Sequence, residues 1–87
     1  GEYDRALPLL EEALAIRRAA LEPGHPDIVE SLNRLGMLHG RRGEYDRALP
    51  LYEEALARRR AALEPDDPDI AESLNNLGML HAHRGEY

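Results

Sequence analysis

Nine letters, GEYDRALPL, open the chain at Gly1 and return unchanged at Gly43. Sliding the 87-residue sequence along itself by 42 positions pairs Gly1–Arg42 with Gly43–Arg84, and 34 of the 42 pairs are identical. The exceptions are Leu10/Tyr52, Ile16/Arg58, Gly24/Asp66, His25/Asp67, Val29/Ala71, Arg34/Asn76, Gly40/Ala82 and Arg41/His83. Gly85-Glu86-Tyr87 then begins a third copy. A repeat of this length is one supersecondary unit that cannot bury its own apolar face, so neighbouring copies must stack and share a core. The expected organisation is therefore two units, 1–42 and 43–84, with the start of another at 85–87.

Within each unit apolar residues recur at three- and four-residue spacing and never alternate for long, which predicts two helices and no strand. One helix is expected over 26–41, where Ile28, Leu32, Leu35 and His39 fall on a single stripe. Pro26 suits a first helical position, because its missing amide hydrogen would find no partner there. In the second copy Asp67 precedes Pro68 and can cap the helix, whereas the first copy offers His25 and predicts a weaker cap. Gly43 and Gly85 follow this helix and its copy as C-terminal glycines do. The other helix is expected over 45–63, its counterpart over 3–21, and the copy of the first over 68–84. Ala48, Tyr52, Ala55, Leu56, Ala62 and Leu63 form its inner face, interrupted by Arg59, whose aliphatic stem can lie along it. Pro50 comes early enough in the helix to cost little more than a bend. Arg58, Arg59 and Arg60 crowd toward the negative helix end, with Glu54 one turn before Arg58. They read as a solvated face, as do Glu11-Glu12 and Glu53-Glu54. The fold class is all-α, written as helices in the order B-A-B-A.

Composition narrows what such an array does. There is no cysteine for a disulfide or a thiolate metal site. A formal net charge of -6 argues against a phosphate-backbone ligand, so nucleic acid is not an expected partner. No apolar run approaches the roughly 20 residues of a membrane-spanning helix, and no signal-like stretch opens the chain, so a soluble, cytoplasmic protein is expected. His25, His39, His81 and His83 are the candidate general bases, yet none has a nucleophile at a telling spacing. His81 and His83 point about 200° apart on a helix. No HExxH motif occurs, and neither a metal, a cofactor nor an enzymatic activity is expected.

The run Ser73-Leu74-Asn75-Asn76-Leu77-Gly78-Met79-Leu80-His81, with Gly-Glu-Tyr-x-x-Ala and Leu-Tyr-Glu-Glu-Ala-Leu as at Gly43 to Leu56, resembles a tetratricopeptide repeat. The 42-residue period and the HPDI-x-ESLN-x-LG phrase from His25 are similar to the kinesin-light-chain-like branch and its bacterial relatives. That resemblance implies a right-handed α-solenoid of antiparallel helix pairs. It implies that Gly36 and Gly78 are the small residues where paired helices touch, facing Ala48 and Ala55. It also implies a concave groove lined by Asn33, Arg34, Met37, Gly40 and Arg41, then by Asn75, Asn76, Met79, Ala82 and His83, with an extended peptide as ligand.

Asparagine amides suit a peptide backbone, and Arg34 and Arg41 suit its carboxylates, which favours an acidic or C-terminal segment. The other function that fits a repeat array is a structural spacer without a defined ligand. In the B-A-B-A order the first and last helices each lack a neighbour, so both ends are expected to expose apolar stripes. Self-association through those ends, head to tail or as a swapped dimer, is the expected consequence.

Overall fold

Helix starts and stops fall at the same positions of both copies to within one residue. His25 Nδ1 accepts from the Asp27 amide at 3.0 Å, and Asp67 Oδ1 accepts from the Asp69 amide at 2.9 Å. The imidazole thus caps its helix with the same bond as the carboxylate, without the carboxylate's charge. At the other end Gly43 adopts φ +78°, the Gly43 amide donates to Gly40 and the Glu44 amide donates to the His39 carbonyl. This pair of reversed bonds satisfies carbonyls that the helix end would leave open, and it needs a left-handed residue that glycine supplies without strain. Gly85 repeats the conformation at φ +83°.

The computed structural model describes residues 1–85 and contains four helices, α1 Glu2–Ala20, α2 Pro26–Arg41, α3 Tyr45–Ala62 and α4 Pro68–His83. No strand occurs among the described residues. Glu86 and Tyr87, which carry the expected start of a third repeat, lie outside them. Both α1 and α3 run unbroken through Pro8 and Pro50.

Each helix packs on its neighbour in sequence, α1 on α2, α2 on α3 and α3 on α4. The result is a slab of 37 × 35 × 16 Å rather than a bundle closed on itself. The core cluster joins Leu14 of α1, Ile28, Val29, Leu32 and Leu35 of α2, and Ala55 of α3, with Leu7, Leu10, Leu21 and Leu51 packed around it. Ala48 and Ala55 are fully buried, while Ala62, expected on the same face, is exposed.

Within each copy an arginine fastens one helix to the next. Arg17 donates to the Asp27 carbonyl, to Glu30 and to Ser31 Oγ, at 2.9, 3.0 and 3.1 Å. Arg59 does the same one copy later, to the Asp69 carbonyl, Glu72 and Ser73 Oγ, at 2.8, 2.9 and 3.0 Å. Ser31 and Ser73 are buried, so each guanidinium also satisfies a hydroxyl hidden from water. Arg59 was read as part of a solvated face; its head group instead bonds to α4. Neither Arg58 nor Glu54 belongs to a purely solvated face. Arg58 donates to Glu54 at 2.8 Å and to the Pro23 carbonyl at 2.6 Å, and Glu54 also accepts from Arg18 of α1. Opposite ends are joined by Arg42 to Asp4 at 3.7 Å and Arg84 to Asp46 at 3.2 Å, which fixes neighbouring helices antiparallel.

Candidate functional site

One helical turn separates Met37 from Arg41 on α2, and Met79 from His83 on α4. Because α2 spends its stripe on α1 and α3, this edge is left for solvent. Met37, Gly40 and Arg41 meet Asn76, Met79, Leu80 and His83 across a cleft of about 330 Å³ whose remaining lining is Tyr45 and Tyr52 of α3. The His83 ring lies parallel to that of Tyr45, 4° apart with centroids at 6.4 Å. Burial pushes the Tyr52 phenol above its ordinary value, against a smaller opposing effect of Arg41, so Tyr52 remains a hydrogen-bond donor at neutral pH.

Tyr52 stands here because of a glycine. A Cβ built on Gly36 would lie 2.8 Å from Tyr52 Cε1, so only a residue without a side chain lets the ring cross α2. The three atoms nearest that point all belong to the Tyr52 ring, a neighbour not expected beside Ala48 and Ala55. Nothing comes within 4 Å of the corresponding point on Gly78.

A second cleft, of about 650 Å³, shares Met37 and Arg41 with the first and adds Asn33 and Arg34. Asn33 is half-buried, and its Oδ1 is enclosed without a hydrogen-bond partner among the described residues. Arg34 Nε lies 3.8 Å from Glu30, whose carboxyl is held below the ordinary range first by the hydrogen bond from Arg17 and then by the charge of Arg34. The two clefts together hold eight of the ten expected groove residues. Asn75 is exposed and lines neither, as does Ala82. Tyr45, Tyr52 and Leu80 were not among the groove residues read from the sequence.

The clefts differ in charge. Among the described residues Arg41 is the one permanently charged residue lining the first, and no carboxylate lines it, in a chain whose net charge is -6. In the second, Arg34, Arg41 and Arg59 face Asp27, Glu30 and Glu72.

Three of the histidines make contacts that hold the fold. His25 caps α2 and His83 stacks on Tyr45. His39 is buried, with Nδ1 2.9 Å from Glu44 Oε1, and that bond is the main cause holding the Glu44 carboxyl below its ordinary range. Among the described residues no group of three or more His, Cys, Asp or Glu side chains could hold a metal ion. None of the described helices is long and apolar enough to cross a membrane.

A family profile described as tetratricopeptide repeat matches residues 1–61 and, a second time, residues 27–87. No curated protein matches the chain.

Proposed function

Because the chain belongs to the tetratricopeptide repeat family, whose repeats generally mediate protein–protein interaction as non-enzymatic scaffolds, we propose that it binds an extended, acidic peptide segment in the cleft between α2 and α4. The observation that carries this reading is the pairing of an apolar floor, Met37, Met79 and Tyr52, with Arg41 and, among the described residues, no carboxylate. Methionine side chains adapt to varied apolar groups, and a cleft that excludes acids within an acidic protein attracts the opposite charge. The Tyr52 hydroxyl and the Asn76 amide supply donors for peptide carbonyls. The 42-residue period and the HPDI phrase support the narrower placement in the kinesin-light-chain-like branch.

Fluorescence anisotropy with labelled peptides tests the reading. One leucine flanked by aspartates should bind more tightly than the same leucine flanked by lysines, with the preference fading as salt rises. Arg41→Glu should reverse the preference, and Met37→Asp should abolish binding of both while helicity is kept. Equal binding of the two peptides sinks the acidic ligand. No binding of any extended peptide leaves the array a spacer.

A further inference from the structure

All the sulfur of this chain lies in one cleft. The sequence holds two methionines and no cysteine. Met37 of α2 and Met79 of α4 occupy the same position of the two copies, and both line the cleft that carries Arg41. Met37 is 46% exposed although α2 is packed on both sides, by α1 and by α3, and Met79 is 60% exposed. Neither belongs to the core cluster, which is built of aliphatic side chains. Both thioethers are thus open to small solutes in the solvent, at a place where the fold does not depend on them.

We propose that Met37 and Met79 are a paired oxidation site, at which peroxide forms two sulfoxides that release the acidic peptide while the helices stay folded. The release rests on the peptide reading given above; the oxidation does not. At each methionine the sulfur lone pair attacks one oxygen of hydrogen peroxide. The O–O bond breaks as the S–O bond forms, and the proton of the transferred hydroxyl passes to the departing oxygen, which leaves as water. Sulfur is oxidised by two electrons and the peroxide is reduced by two.

Two effects then oppose the ligand. Each sulfoxide sets a polar oxygen on the apolar floor, where an apolar side chain of the peptide offers it no hydrogen bond. The oxygen on Met37 is also an acceptor one helical turn from Arg41, so it draws on the guanidinium donors that the peptide's carboxylates need. No thiol competes for the oxidant, because the chain has no cysteine. The change is reversible, since methionine sulfoxide reductases of the two types return both sulfoxide epimers to the thioether.

The test treats the whole chain with hydrogen peroxide, removes the excess, and follows intact mass, circular dichroism and the anisotropy of the labelled leucine peptide flanked by aspartates. Mass should rise by two oxygen atoms with helicity unchanged, and affinity should fall about tenfold. The two reductases together should restore mass and affinity in step. Met37→Leu combined with Met79→Leu removes the sulfur and keeps the floor apolar; whatever affinity this double variant has, peroxide should leave it unchanged. Met37→Gln combined with Met79→Gln puts a polar group of similar length there and should bind as weakly as the oxidised chain with no oxidant added. A fully oxidised chain that binds as tightly as the untreated one overturns the proposal. So does an equal loss on peroxide treatment of the leucine variant, which locates the damage elsewhere, and so does uptake of oxygen only as helicity is lost. An untreated chain that binds no peptide takes down the cleft reading and the release together, whereas binding that survives oxidation removes the release alone.

Discussion

The joint between α2 and α3 and the outer faces of α1 and α4 are spelled almost identically, yet one is sealed and the others face water. Leu32 and Leu74 share a repeat position, a helical conformation and flanking letters. They differ in whether another helix lies across them. Burial here belongs to the neighbour and not to the residue, which is why a repeat of this kind gains stability only by being stacked.

Leucine truncation is the sharpest way to break that equivalence. Leu32→Ala should cost about 3 kcal/mol, because the site is closed on all sides and cannot collapse around the loss, whereas Leu74→Ala should cost under about 1 kcal/mol in dilute solution. Urea denaturation followed by circular dichroism measures both, and equal costs would dissolve the distinction between inner and outer copies. The two glycines should differ in sign. Gly36→Leu drives a side chain into the Tyr52 ring and should lose about 2 kcal/mol, while Gly78→Leu should gain up to about 1 kcal/mol from helix propensity alone. Thermal melts of dilute samples read this difference directly.

The arginine fasteners sharpen the comparison from the polar side. Arg59 is 14% exposed and Arg17 33% exposed, by side chain, although their partners are equivalent. Arg59→Met should cost about 2 kcal/mol and strand the buried Ser73 hydroxyl; Arg17→Met should cost less, since water can reach the vacated partners. Chemical denaturation of the pair tests the ordering.

Acid should loosen the inner joint through Glu44. Its carboxyl, held down first by the His39 hydrogen bond, stays ionised to lower pH in the folded chain than in the unfolded one. The folded state therefore binds fewer protons across the carboxylate range. Its contribution is complete at neutral pH and is lost as pH falls through the folded value. Urea midpoints measured down the pH scale should fall more steeply for the natural chain than for Glu44→Gln. The smallest effect is expected at the cap of α2. There His25→Asp keeps the acceptor and adds a charge favoured by the helix dipole, for a gain of about 0.5 kcal/mol visible as a small rise in Tm.

Most of the architecture could be read from local spelling. Caps and terminal glycines act within a few residues, so Pro26, Asp67 and Gly43 announce their roles without any tertiary knowledge. Helical spacing likewise sets Met37 beside Arg41 and Met79 beside His83. What the letters hid involves partners far along the chain. Arg17 and Arg59 each reach a backbone carbonyl ten residues on, and a carbonyl is present at every position, so no residue type signals it. Tyr52 looked like one more inner-face residue; its passage over Gly36 into the cleft depends on how two helices cross. The bond that His25 accepts from the Asp27 amide has no plain signal in the letters, because imidazole is an acceptor only in its neutral form.

Finally, α1 and α4 share no packed interface, and the extensive contacts of each helix are with those next to it in sequence. Folding in such a chain requires few distant segments to find each other, which favours rapid formation. Its cooperativity is also short-ranged: the α2–α3 hairpin can persist while an end helix frays and re-forms. Amide exchange should accordingly be graded, slowest in the middle and quickening outward, instead of collapsing in one global event.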